Sequence, residues 1–193
     1  PQHRLITVYK IQPPKKPKEI DRFSSYSESY YHDYEAKDYQ THFMPGIDLQ
    51  FGYNLVNIAH YDLLTEKMNY LFDQPVLIKS LYYPSFEQDS LHKKPINRDY
   101  YLVSVYDADT NADTLVNRRD LRRIYHFNAS ANVKTQLIPS DYSVQHSQYD
   151  SQNDVMYIYA RKDANKNGMA DKDEPVHVFW ISLKTPGPAK RMY

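Results

Sequence analysis

The stretch DANKNGMADKDE, from Asp163 to Glu174, sets oxygen-bearing side chains at its first, third, fifth, ninth and twelfth places and a glycine at its sixth. Calcium takes six to eight hard oxygen ligands at about 2.3 to 2.6 Å, and a tightly curled twelve-residue loop delivers them at this spacing. Asp163, Asn165 and Asn167 would supply side-chain oxygens and Met169 its carbonyl. Asp171 would bind directly or through water, and Glu174 would close the cage with both carboxylate oxygens. Gly168 stands where the chain must turn sharply, at a position that favours a residue tolerant of positive φ. The competing reading is a solvated acidic hairpin loop.

A second copy lies 54 positions upstream: Asp109, Asn111, Asp113, Asn117 and Asp120 fall on Asp163, Asn165, Asn167, Asp171 and Glu174. The implied ligand set is Asp109, Asn111, Asp113, the Leu115 carbonyl, Asn117 and Asp120. This loop, DTNADTLVNRRD, departs from the pattern: Thr114 replaces the glycine, Asp120 is shorter than a glutamate, and Arg118 and Arg119 add positive charge. It is expected to be the weaker site or a metal-free relic. The same shift lays Val103 and Val105 on Tyr157 and Tyr159, and Ile124 and Tyr125 on Val178 and Phe179, so each loop is expected between two strands. Strands, rather than helices, on both sides argue against the helix-opening switch of a calcium sensor. Calcium would instead neutralise clustered acids and pin a long excursion, a structural role.

Elements able to hold such loops follow from the rest of the chain. Short alternating runs separated by turn residues indicate an all-β fold. The candidate strands are HRLITVYKI near the start and, after about Asp48, LVNIAHYDL, MNYLF, VLIKSLYY, YYLVSVYD, LRRIYHF, VKTQLI, YSVQHSQYD, VMYIYAR and VHVFWISL. Residues 1–47, with the basic proline-rich QPPKKPK and a polar tyrosine-rich run, read as an extended N-terminal segment that clings to a surface or partner, or stays disordered. Residues 48–193 read as the β domain.

The echo among IAHYDLLTEKMNYLF, IYHFNASANVKTQLI and VFWISLKTPGPAKRMY adds a hairpin after each long loop, for antiparallel four-stranded, blade-like sheets. In this the chain resembles the β-propeller repeats of the TolB-type family and related bacterial envelope proteins whose EF-hand-like calcium loops join blade strands. The resemblance spans roughly Asn54 to Tyr193. It implies a partial or propeller-like assembly of about two and a half units, where closed propellers have about four to eight.

The 193 residues carry 24 basic and 24 acidic side chains, so no net field draws nucleic acid or an anionic membrane. Cysteine is absent, which removes disulfides, thiolate metal sites and cysteine nucleophiles. No apolar run approaches the roughly 20 residues of a membrane-spanning helix. The chain opens on Pro1, a start compatible with a removed leader or anchor. Nucleophile elbows, zinc-protease helices and phosphate-cradling glycine loops are missing from a chain with four glycines. Histidines such as His60, His126, His146 and His177 sit singly in strands and read as structural.

These features predict a non-enzymatic, calcium-binding envelope or secreted protein, an accessory or scaffold subunit whose exposed sheet edges require a protein partner or homo-oligomer. A glycan-binding or glycan-cleaving module using Trp180, Phe179 and the tyrosines is the alternative.

Overall fold

The structure is a computed structural model that describes residues 3–10 and 39–193, without the side chains of Tyr39 and Gln40. The run 11–38, with QPPKKPK and most of the tyrosine-rich stretch, lies outside the described residues. In chain order the strands are β1 His3–Tyr9, β2 Tyr39–Met44, β3 Ile47–Phe51, β4 Leu55–Asp62 and β5 Lys67–Tyr70. There follow β6 Leu77–Pro84, β7 Asp89–Leu91, β8 Lys94–Ile96, β9 Tyr100–Tyr106 and β10 Arg123–Asn128. Last come β11 Lys134–Gln136, β12 Tyr142–Asp150, β13 Val155–Lys162, β14 Val176–Ser182 and β15 Lys190–Arg191. The fold is all-β; no helix among the described residues is long and apolar enough to cross a membrane.

The strands form antiparallel sheets, none closed into a barrel: β1-β4-β5, β11-β10-β9-β6-β3-β2, β12-β13-β14-β15 and the β7-β8 hairpin. The alternation of β9 explains how the larger three stack. Tyr100 and Leu102 join one core cluster, together with Met156, Ile158, Phe179 and Ile181 of the four-stranded sheet. Tyr101, Val103 and Val105, on the opposite face, join a second cluster with Leu55 and Ile58 of β4. Every residue of β9 is therefore buried, as expected for a strand covered on both faces. A bulge between Ile78 and Ser80 of β6 shifts the alternation, so Ile78 and Leu81 share the second cluster and Tyr82 the first.

Among the described residues the four-stranded sheet is covered on one face only. Met156, Ile158 and Ala160 of β13 point into the core, opposite Ile181, Phe179 and His177. Tyr157 and Tyr159 alternate with them and lie on the outer face, half-buried, with Trp180 opposite Tyr157. The sequence shift superposes Val103 and Val105 on these tyrosines; the valines are core and the tyrosines are not, because among the described residues a sheet packs against one side of β13. The β4–β5 and β10–β11 hairpins do repeat, Ala59 facing Tyr70 as Tyr125 faces Gln136, 66 residues later.

One buried ion pair ties the two packed sheets together. Arg98 donates to Asp154 Oδ1 at 2.6 Å and to the Leu183 and Pro45 carbonyls, and the Tyr100 hydroxyl donates to the same Leu183 oxygen. Both side chains are almost sealed from solvent. Removing one partner would strand the other charge, at a cost of about 3–5 kcal/mol. From the sequence Asp154 is a turn former; it does sit in a left-handed turn, at φ 53°, but its carboxylate is a clamp.

Candidate functional site

The loop at 109–120 joins β9 to β10, and the loop at 163–174 joins β13 to β14. Lys162 runs straight into Asp163, and only Pro175 separates Glu174 from β14. Two residues intervene on each side of the first loop. Neither adjoining segment is helical.

The backbones of the two loops are folded alike. Ala112 and Lys166 have φ of 60° and 61°, and Thr114 and Gly168 have φ of 72° and 75°. The carboxylate at place one caps the turn that follows: the Asp113 amide donates to Asp109 Oδ1 at 3.1 Å, and the Asn167 amide to Asp163 Oδ1 at the same distance. The next amide, of Thr114 or Gly168, reaches the second oxygen at 2.7 or 3.0 Å. The place-three amides, Asn111 and Asn165, accept from Asp113 and Asn167 at 3.0 and 2.9 Å. Place five caps place seven, Leu115 donating to Asp113 at 3.0 Å and Met169 to Asn167 at 2.9 Å.

Place twelve reaches back across each loop. Asp120 accepts from the Thr110 and Asn117 amides at 2.7 Å each, and Glu174 from the Ala164 and Asp171 amides at 2.7 and 3.0 Å. Acid and amide exchange places five and nine between the copies, and the bond survives with its direction reversed. Asn117 donates to Asp113 at 3.0 Å; Asn167 donates to Asp171 at 2.7 Å. The amide donor of Asn117, and then the Leu115 N–H, hold the Asp113 carboxyl below its usual range.

The loops also touch. Thr110 Oγ1 donates to the Gly168 carbonyl at 2.6 Å and accepts from the Leu121 amide at 2.8 Å. A Cβ added at Gly168 would lie 1.7 Å from the Thr110 carbonyl oxygen, so backbone crowding as well as positive φ demands glycine.

Asp120, Asp163 and Glu174 are buried, at 2%, 8% and 8% exposure. None is in an ion pair among the described residues. Buried charges are ordinarily paired or bound to a metal. In donor chemistry the loops suit a hard cation: carboxylates, amides and carbonyls on a curled chain. The acids themselves are not drawn to one point. Among the described residues there is no group of three or more His, Cys, Asp and Glu side chains placed to hold a metal. The carboxylates instead face backbone N–H groups within their own loops, while the structure brings Asp113 to Asn111 and Asn117, and Asp171 to Asn165 and Asn167.

His60, His126, His146 and His177 have structural surroundings among the described residues. His60 Nε2 bonds the Ala129 carbonyl at 2.9 Å, and burial pushes its pKa down; burial does the same to His126. His146 stacks on Tyr159, and His177 Nδ1 meets the Tyr142 hydroxyl at 2.7 Å. Sequence reasoning passed over Arg98 and Arg122, both buried, because the residues around an arginine do not show that its guanidinium is covered by distant strands. Compared with known protein families, curated proteins and solved structures, the chain has no match.

Proposed function

We propose that this is a calcium-stabilised, non-enzymatic protein of the bacterial envelope or extracellular space, with propeller-like sheets, serving as an accessory or scaffold subunit. The observation that carries the reading is the pair of like-folded loops holding buried carboxylates without cationic partners among the described residues. Asp163, Asn165, Asn167, the Met169 carbonyl, Asp171 and Glu174 would hold one ion; Asp109, Asn111, Asp113, the Leu115 carbonyl, Asn117 and Asp120 the other. Bound calcium would supply charge neutralisation and fixed loop geometry, and the loop hydrogen bonds already orient the place-one and place-twelve carboxylates. Such loops outside sensor proteins commonly bind at about 10⁻⁴ to 10⁻³ M, which suits a calcium-rich compartment. The propeller-like reading rests on the face-to-face stacking of antiparallel sheets.

The test is thermal unfolding with and without calcium. At a hundredfold excess over the dissociation constant, calcium bound only by the folded state stabilises it by about 2.7 kcal/mol. An unchanged midpoint in millimolar calcium overturns the reading. The scaffold role predicts a partner on native pull-down or self-association in light scattering, and a lone folded monomer with no partner removes it. The aromatic outer face of the last sheet, with Tyr157, Tyr159 and Trp180, favours glycan binding as a second reading. Glycan-array binding lost in Trp180→Ala would select that function instead.

A further inference from the structure

Between the two loops lies a cavity of about 410 Å³, walled by Arg118, Arg119 and Asp120 of the first, by Met169 and Asp171 of the second, and by Arg122 at the entrance to β10. Arg122 is 7% exposed. Its Nε donates to the Val144 carbonyl at 2.8 Å and its Nη2 to the Gln145 carbonyl. These are neutral acceptors. Among the described residues no carboxylate stands within ion-pair distance of Arg122, Arg118 or Arg119. A buried guanidinium without a counter-charge is costly.

The acids on the cavity wall do not serve as counter-charges because the loops already use them. Asp120 accepts from the Thr110 and Asn117 amides, and Asp171 from the side-chain amides of Asn165 and Asn167. Arg118 is held in place by stacking on the Tyr53 ring, 4.7 Å from its centroid.

We propose that this cavity binds a sulfate- or phosphate-type oxyanion carried on a small molecule, held by Arg118, Arg119 and Arg122, and more tightly when the loops hold calcium. Guanidinium forks match such oxygens, and donors arriving from the loop crest and from the strand entrance suit a tetrahedral dianion better than a flat carboxylate with one edge to share. The volume accommodates the anionic group and part of its carrier. The calcium dependence rests on the reading above: ions in the two loops would neutralise Asp120 and Asp171, the acids on the cavity wall, and by linkage the anion would tighten calcium equally. The anion site does not rest on it.

Isothermal titration of the full chain with sulfate, which stays soluble beside millimolar calcium, tests both parts. It is run with calcium and with chelator, and calcium is titrated alone. The expected result is sulfate binding weakened about tenfold or more in the Arg118→Gln/Arg119→Gln double variant, whose side chains are exposed, and at least as much in Arg122→Gln. Acetate should bind more weakly than sulfate. No sulfate binding at tens of millimolar, equal affinity in the double variant, or acetate binding as tightly overturns the site. If Arg122→Gln fails to fold, the double variant decides. Arginine-dependent sulfate binding in a chain that takes no calcium upholds the anion site and removes the calcium reading; equal sulfate affinity with calcium bound and absent overturns the coupling.

Discussion

The left-handed turn at Thr114 is open to solvent, whereas its counterpart at Gly168 is pressed against the Thr110 carbonyl of the other loop. Their φ angles differ by only 3°, from 72° to 75°. Conformation alone therefore does not decide which residue occupies the sixth place. A threonine persists where its Cβ meets open space and only backbone strain must be tolerated, while a glycine is required where two loops meet. The loops are equivalent as chemistry and unequal as packing, and the second copy is also joined more tightly to its strands, with no spacer before Asp163 and one residue after Glu174.

The largest effect that separates the two copies should come from Gly168→Ala. With φ of 75° and a Cβ 1.7 Å from backbone oxygen, it is expected to cost about 3 kcal/mol or more in urea unfolding. A cost below about 1 kcal/mol would mean that the loops separate freely. Next in size is the calcium term. Asp163→Ala should remove most of the roughly 2.7 kcal/mol of calcium-dependent stabilisation, and Asp109→Ala a smaller part, read from midpoints at a hundredfold calcium excess. Equal losses would dissolve the distinction between the loops.

Lengthening the closing ligand with Asp120→Glu sharpens the same contrast, since a glutamate there reproduces the arrangement at Glu174. Calcium titration of the Asp163→Ala background should show affinity raised severalfold, and unchanged affinity would leave Thr114, Arg118 and Arg119 as the sources of the expected weakness. The smallest effect belongs to Thr114→Gly. Relief of left-handed strain is partly offset by the entropy of a new glycine, so stability should rise by less than about 1 kcal/mol.

Much of the strand layout is legible in residue patterns. β4, β6, β9, β10, β12, β13 and β14 all lie on alternating or apolar runs. β2 and β3 are not legible as strands, because YQTHFM at a sheet edge can stay polar, and its pairing with IDLQF is settled by the neighbouring β6. The short β7, β8 and β15 carry too few residues for a period to show. Within the loops, every proposed oxygen donor could be named from spacing. Arg122 could not, since its burial depends on β10 and β12 meeting.

The order of donors, the like curvature of both loops and the strand character around them were determined by local sequence, through Asx-type hydrogen bonds that span a few residues. Tertiary structure alone decided that the two loops abut, that Gly168 meets Thr110, that Tyr157 and Tyr159 face outward while Val103 and Val105 are core, and that three arginines share one cavity. Those outcomes depend on which sheet covers which face, a contact between residues distant in the chain that no short window of sequence contains.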